Sequence, residues 1–303
     1  MQPLSDIPIS VDAAAIEAAM RPFLVSEGEA RRWRAEVTRR GVSTLARLLS
    51  GRESERDRES IEREYKDAWG AGYQRYRLDR TDLKPKPWHW RGRKLLLDPA
   101  AATRIRTILF GAVIDDLRPK RVLEVGSGNG INLLSLAGAF PEIEFTGLEL
   151  TPEGVRQARR AQSDAAIAEI VRAYSPLETK DAAAIGRIAF VQGDASAMPF
   201  DDSSFDLVMT VLAVEQMESI RAAALREIAR VTRGHALMLE PFRDMNTRGL
   251  KRVYVKSRGY FRGSIDELRG FGLEPVWATD DFPQEAFLGA ALVLSKKRAA
   301  DSR

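Results

Sequence analysis

The sequence predicts an α/β fold with a mostly parallel sheet that has helices on both faces. From residue 121 onward, short apolar runs alternate with helical patterns, which is typical of consecutive β-α-β units. The first of these runs, residues 121–125, leads straight into a turn with glycines at positions 126, 128 and 130. Such a turn brings a nucleotide-like ligand against main-chain N–H groups at the carboxyl end of a strand.

Residues 1–97 are expected to form a helical extension or lid that is flexible in part. The helical patterns in it cover residues 11–25, residues 28–49 as one or two helices with a break near Gly41, and residues 52–68. Prolines at 85 and 87 exclude a helix from the segment that follows. We expect this segment to be extended and to cover the carboxyl edge of the sheet.

Residues 98–298 are expected to form the main domain, followed by a short tail at 299–303. The domain opens with a helix from Pro99 to about Leu117, because proline is favoured in the first turn of a helix. An additional helix and loop are predicted over residues 163–186. The apolar runs predict seven strands, near residues 121–125, 144–148, 188–191, 205–211, 235–240, 274–279 and 287–295.

The composition excludes several kinds of chemistry. The 303-residue chain has no cysteine and only two histidines, so disulfides, thiolate nucleophiles and sites made of several cysteines or histidines are ruled out. We therefore expect no metal. No apolar run reaches the roughly 18 residues of a membrane span, and no signal sequence opens the chain. We expect a cytoplasmic protein, either free or bound peripherally at a membrane surface.

The glycine turn alone leaves two cofactors open. The dinucleotide fingerprint is G-x-G-x-x-G, whereas here the spacing is G-x-G-x-G and Ile131 stands where the third glycine would fall. Glu124 lies two residues before the first glycine. A carboxylate at this point would repel a pyrophosphate and would suit the cationic amino group of S-adenosylmethionine (SAM).

Two further strands end in acids. Glu149 follows the second strand, where a carboxylate can accept hydrogen bonds from both hydroxyls of a ribose. Dinucleotide sites also place an acid there, so Glu149 does not discriminate. The third strand ends in Gly-Asp-Ala, where Asp194 can accept from an adenine amino group and the Ala195 N–H can donate to the ring. The combination favours SAM.

With these motifs the chain resembles the class I SAM-dependent methyltransferases, in particular the small-molecule branch related to the ubiquinone and menaquinone methyltransferases. The matching stretches include VLEVGSGNG, FTGLELTPEGV, FVQGDASAMPFDDSSFDLVMTVLAVEQM and LREIARVTRGHALMLEP. The resemblance implies a Rossmann-like sheet of seven strands with a reversed last hairpin, and SAM as cofactor with S-adenosylhomocysteine as product. It implies these cofactor-binding residues: Glu124, Gly126, Ser127, Gly128, Gly130, Glu149, Leu150, Asp194, Ala195 and Val211.

Two residues are candidates for a catalytic base. His89 lies between two tryptophans on the extended segment, and a histidine that is neutral near pH 7 can accept a proton. A packing role in the lid is the alternative for this residue. Glu215 follows the fourth strand, where it could bind a substrate hydroxyl, contact the cofactor or cap a helix. Related enzymes carry Glu-His at this point, but this chain has Gln216, which cannot act as a base.

The flanks of the chain carry the features expected to bind the acceptor. Residues 98–242 hold 15 Lys/Arg against 20 Asp/Glu, whereas residues 1–97 hold 20 against 15 and residues 243–303 hold 12 against 8. A basic, aromatic-rich flank favours an anionic acceptor, although a solvated helix face is the plainer explanation. The residues predicted to bind substrate are Trp69, Tyr73, Gln216, Arg243, Arg248, Lys251, Arg252 and Tyr254.

From this pattern we expect methylation of an oxygen on a small or medium anionic acceptor, such as a glycan, a glycolipid, a nucleotide-sugar intermediate or a related metabolite. The acceptor is a small molecule or is linked to a glycan or a lipid. One alternative is an RNA methyltransferase whose basic flanks contact phosphates, although no RNA-binding module is recognisable. The other is a catalytically silent subunit with a SAM-binding fold. The sequence leaves open whether the chain forms a homodimer.

Overall fold

A computed structural model describes residues 9, 11–21, 24–26, 28–49, 85–97, 99–258 and 262–298. Its strands, in chain order, are β1 Lys86–Trp90, β2 Arg93–Leu97, β3 Arg121–Val125, β4 Glu144–Glu149, β5 Ala189–Gln192, β6 Phe205–Val211, β7 Thr232–Glu240, β8 Leu273–Thr279, β9 Gln284–Glu285 and β10 Ala291–Lys297. Its α-helices are α1 Ala13–Met20, α2 Ala30–Leu49, α3 Pro99–Leu117, α4 Ile131–Ala137, α5 Pro152–Gln162, α6 Ile167–Tyr174, α7 Arg221–Val231 and α8 Gly249–Arg258.

Seven strands form the central sheet, in the order β5-β4-β3-β6-β7-β10-β8. The five neighbouring strands β5, β4, β3, β6 and β7 are parallel to one another. Strand β10 runs antiparallel to both of its neighbours, β7 and β8. This confirms the predicted mostly parallel sheet with a reversed strand in the last hairpin. The carboxyl ends of β3, β4, β5, β6 and β7 therefore lie along one edge of the sheet.

Alternating residues of the central strands face two separate apolar layers. Leu207 and Met209 of β6 belong to the layer under α3 and α4, whereas Val208 between them belongs to the layer under α7. This period of two is the reason that these short apolar runs form strands buried on both faces. Among the described residues, no helix is both long and apolar enough to cross a membrane.

The last strand begins later than the sequence predicts. The prediction was residues 287–295, but β10 starts at Ala291 because the preceding residues are bound elsewhere. The Gly289 N–H donates to Oδ1 of Asn246 at 2.9 Å, and Nδ2 of Asn246 donates back to the Gly289 carbonyl at 2.8 Å. This pair of bonds holds the chain before β10 against the loop that follows β7.

Helix α2 runs without interruption through Gly41, so the predicted break there is wrong. A glycine inside a helix costs only about 1 kcal/mol relative to alanine, which local contacts can offset. Glu36 pairs with Arg39 at 2.7 Å and with Arg40 at 3.0 Å just before the glycine. The helix predicted over residues 52–68 lies outside the described residues.

The proline-rich segment forms a β-hairpin, in which β1 pairs with β2 on one side and with β9 on the other. Arg91 and Gly92 join β1 to β2 with φ angles of 46° and 76°, the left-handed values of the tight turns that suit hairpins. The Trp90 indole N–H donates to Asp281 at 2.9 Å, and the Arg91 guanidinium binds the same carboxylate. Since Asp281 follows β8, these contacts attach the hairpin beside the carboxyl edge of the sheet.

Replacing Gly130 tests how tightly the turn after β3 is packed. Its φ is +74°, and an added Cβ would lie 2.5 Å from Cζ of Phe190. We expect Gly130→Ala to lower the free energy of unfolding by about 2 kcal/mol or more, because it combines a strained backbone with overpacking. Gly186→Ala is the control, since a Cβ there meets nothing within 4 Å. Denaturant unfolding without ligand measures both, and equal losses would contradict this packing.

Candidate cofactor and acceptor site

The glycine turn after β3 contacts strand β4 and the loop after β6. The N–H groups of Gly126 and Ser127 both donate to the Leu148 carbonyl, at 2.8 and 3.0 Å. Gly126 has φ +74°, and an added Cβ would lie 2.6 Å from Cβ of Ala213. Glycine is therefore required there for conformation and for space.

Glu124 is the most unusual carboxyl group in this region. Its side chain is buried near the end of β3, and Oε1 accepts from the Asn132 amide at 2.6 Å. Its Oε2 has no hydrogen-bond partner among the described residues. Burial raises the pKa of Glu124 to about 8, against the opposing effects of the Asn132 hydrogen bond and the Arg106 charge. A cationic ligand beside this carboxyl group would lower its pKa and favour its ionised form.

Two more buried polar atoms beside Glu124 lack partners in the part of the chain that the structure describes. They are Oγ of Ser127 and Oδ1 of Asn132. Because buried polar atoms are nearly always hydrogen-bonded in native proteins, a cluster of three without partners indicates a place for a polar ligand. The amino-acid part of SAM, with its ammonium and carboxylate groups, fits this set. Sequence reasoning missed Asn132, although a polar residue within the apolar run after the turn was a usable signal.

Glu149 joins the glycine turn to the loop after β4. One of its carboxylate oxygens accepts from the Gly128 N–H at 3.0 Å, and the other accepts from the Thr151 N–H and hydroxyl at 3.0 and 2.7 Å. Glu149 is buried and the adjoining Leu150 is half-buried. The carboxylate thus lies at the predicted edge with its orientation fixed, and its contact with a ribose stays a prediction.

The remaining predicted cofactor residues lie at the ends of the neighbouring strands. Asp194, just after β5, is half-buried and accepts from the Ser196 N–H at 2.8 Å and hydroxyl at 2.7 Å. Ala195 is buried beside it, and Val211 is half-buried at the end of β6. Because β5, β4, β3 and β6 are adjacent in the sheet, the structure brings all of these residues to one edge.

A buried acid that the sequence analysis missed holds the loop after β6. Glu240, at the end of β7, is completely buried, and its carboxylate accepts from the N–H groups of Ala213 and Val214 at 3.1 Å and of Glu215 at 3.2 Å. Burial raises the pKa of Glu240 to about 7, although these N–H groups oppose the shift. The acid at the end of the apolar run Leu-Met-Leu-Glu was the signal that could have revealed it.

Glu215 and Gln216 lie together in the short 3-10 turn Val214–Gln216. Both are buried, and the Gln216 amide donates to Oε1 of Glu215 at 2.5 Å. The amide oxygen of Gln216 has no hydrogen-bond partner among the residues described. The turn packs over Gly126 through Ala213, so the pair lies beside the glycine turn.

The basic residues after β7 occupy different environments. Arg243, Arg248 and Arg252 are exposed, whereas Lys251 is half-buried. Burial lowers the pKa of Lys251, opposed by the charge of Asp280. The surroundings of Lys251 therefore differ from those of the arginines with which the sequence groups it.

His89 is half-buried on β1, with its backbone opposite Lys94 and Gln284. Burial and then the charge of Lys251 lower its pKa, so the imidazole is neutral at pH 7. Tyr254 packs against Phe287, with 6.1 Å between the ring centroids. Trp69 and Tyr73 lie outside the described residues.

Comparison with known proteins agrees with this geometry. Residues 123–239 match the sequence model of a family described as methyltransferase domain. A fatty-acid O-methyltransferase from Mycolicibacterium smegmatis is 34% identical over 118 residues, which cover 39% of this chain and 35% of that protein. A demethylmenaquinone methyltransferase from Chlorobaculum tepidum is 27% identical over 168 residues, 55% of this chain and 57% of that protein. The chain thus spans between a third and three-fifths of these relatives.

Among solved structures, that of the [4+2]-cyclase SpnF aligns with a TM-score of 0.54 and 18% identity, over 79% of this chain and 96% of that one. At this identity the likeness concerns the fold alone, and folds of this kind carry different reactions. The sheet order, the glycine turn with its buried acid and the family match over residues 123–239 lead to one assignment. Residues 123–239 form a methyltransferase domain of the class I, SAM-dependent type.

Proposed function

We propose that this protein transfers a methyl group from SAM to an oxygen atom of a small or medium anionic acceptor. The observation that carries the proposal is Glu124, a buried acid with an unpartnered oxygen beside the glycine turn. A pyrophosphate beside it would disfavour ionisation of this carboxyl group, whereas the ammonium of SAM would pair with its carboxylate and favour ionisation. The family match and the two methyltransferase relatives support the same cofactor.

In this proposal, different residues of the site bind different parts of the cofactor. Glu124, Ser127 and Asn132 hold the amino-acid part, Glu149 holds the ribose, and Asp194 with the Ala195 N–H holds the adenine. SAM supplies, when bound, a methyl group on a positively charged sulfur. The protein's contribution is to align this carbon with the acceptor and to exclude water, and alignment of this kind reaches effective molarities of about 10⁵–10⁸ M.

An oxygen nucleophile must be deprotonated when it attacks. A carboxylate acceptor already is at pH 7, whereas a hydroxyl needs a base. We propose His89 or Glu215 for this role, and the lowered pKa of His89 keeps its imidazole able to accept a proton. The relative from Mycolicibacterium smegmatis is named an O-methyltransferase, which supports oxygen as the target atom.

We propose further that residues 1–97 act as a lid on the domain formed by residues 98–298. The pairing of β1 with β9, beside the carboxyl ends of the central strands, supports this division of the chain. A lid there would shut water out of the site while the methyl group moves.

Replacing Asp194 tests the adenine contact. We expect Asp194→Ala to weaken binding of S-adenosylhomocysteine about tenfold or more, because it removes a charged hydrogen-bond acceptor. Ser196→Ala is the matched control, since Ser196 only donates to the Asp194 carboxylate and its loss leaves that carboxylate in place. Isothermal titration calorimetry measures both, and equal affinities in the two variants would refute the contact.

The pH dependence of binding tests the state of Glu124. With a pKa of about 8 the carboxyl group is protonated at neutral pH in the free protein, so binding a cation requires loss of that proton. Affinity for S-adenosylhomocysteine should therefore rise between about pH 6 and about pH 7.5, by up to about tenfold per pH unit. Glu124→Gln keeps an acceptor for Asn132 and should bind weakly at every pH in this range. A wild-type affinity that does not change with pH would contradict the ionisation of Glu124.

A further inference from the structure

We infer that the acceptor has an apolar, chain-like body, and that this body occupies a cavity between α3 and the carboxyl ends of β6 and β7. The inference rests on the proposed function, because it names the class of acceptor for that same site. The cavity has a volume of about 60 Å³. Its lining comes from five separate parts of the chain. The apolar members include Ile105 and Leu109 of α3, Leu212 after β6, Leu239 of β7, and Phe282 and Leu288 between β8 and β10.

The cavity adjoins the cofactor site on two sides. Leu212 directly follows β6 and precedes the turn that carries Glu215 and Gln216. Arg106, which lines the cavity from α3, lowers the pKa of Glu124 through its charge, so its guanidinium lies near that carboxylate. An acceptor in the cavity therefore lies next to the residues proposed to hold the methyl donor.

Two polar side chains in the wall are already engaged by the protein. Gln284 donates from its amide nitrogen to the Asp280 carbonyl at 3.2 Å and accepts at its oxygen from the Ala290 N–H at 2.8 Å. Glu285 pairs with Lys86 at 3.5 Å. The polar atoms of these two residues thus already have partners within the protein.

An indole N–H and a guanidinium also belong to the lining of the cavity. Trp88 lines the cavity, and its indole N–H is buried without an acceptor in the described part of the chain. Arg106 also lines the cavity and carries a positive charge. An acceptor with a carboxylate for these two groups and an alkyl segment for the leucines would match this lining.

The size and polarity of the cavity favour an alkyl chain over a sugar. A volume of about 60 Å³ equals roughly four water-sized spheres, which suits a few methylene groups with the rest of the chain extending outward. Sugar hydroxyls among these leucines would lose their bonds to water without finding partners. We therefore assign the acceptor to the alkyl carboxylates, in place of the glycan expected from the basic flanks.

Calorimetric titration with decanoate tests this assignment on the full chain loaded with S-adenosylhomocysteine. We expect saturable binding of decanoate and no binding of glucose 6-phosphate, a polar anion. Leu288→Gln places an amide in the apolar wall and should weaken decanoate binding about tenfold. The affinity for S-adenosylhomocysteine should stay within about twofold, because Leu288 lies in the loop outside the glycine turn.

Leu45→Gln is the matched control, since this leucine on α2 is 49% exposed and lies outside the cavity wall. It should leave decanoate binding unchanged. Trp88→Phe keeps an aromatic ring but removes the N–H, and it should also weaken decanoate binding. Decanoate binding that is unaffected by Leu288→Gln and Trp88→Phe would overturn the assignment, as would binding of glucose 6-phosphate alone.

The two proposals fail in different ways. If the wild-type chain binds S-adenosylhomocysteine but not decanoate, only the assignment of the acceptor is refuted. If it binds decanoate but not S-adenosylhomocysteine, the cavity accepts an alkyl chain and the proposed methyl transfer falls.

Discussion

Close backbone packing around the turn after β3 fixes the positions of the other loops at this edge of the sheet. Gly126 lies under Ala213 of the loop after β6, and Gly130 lies against Phe190 of β5. The Gly128 N–H binds the carboxylate of Glu149 at the end of β4. Parts of four adjacent strands or their following loops thus contact one turn, and the absence of side chains on its glycines allows this close approach. The open space that remains beside this turn is where a ligand can approach the main chain.

Three buried acids lie near that space, and they differ from one another in the hydrogen bonds that they accept. Glu149 and Glu240 each accept several hydrogen bonds, mostly from main-chain N–H groups, so both carboxylates have partners within the protein itself. Glu124 has one side-chain donor and an oxygen without a partner among the described residues. Since a buried acid is costly unless it is satisfied, Glu124 is the one of these three that calls for a ligand. This contrast supports a cationic cofactor more directly than the glycine spacing does.

The sequence predicted the features that depend on local patterns, and it missed those that depend on distant contacts. Strand β3, the glycine turn and the acids after β4 and β5 follow from apolar runs and motifs. The pairing of β1 with β9 does not, because it joins residues nearly 200 positions apart, as Trp90 and Asp281 illustrate. The environments of Lys251 and the exposed arginines could not be told apart, since neighbours in sequence point to different sides of a helix. The apolar cavity could not be predicted from the sequence either, because its walls come from five separate segments of the chain.

The central claim is that this edge of the sheet binds SAM and not a dinucleotide. Parallel calorimetric titrations of the purified protein with S-adenosylhomocysteine and with NADH test it most directly. We expect micromolar binding of S-adenosylhomocysteine and no binding of NADH. Binding of NADH alone would mean that the carboxylate of Glu124 does not exclude a pyrophosphate, and the proposals on methyl transfer and acceptor would fall with it.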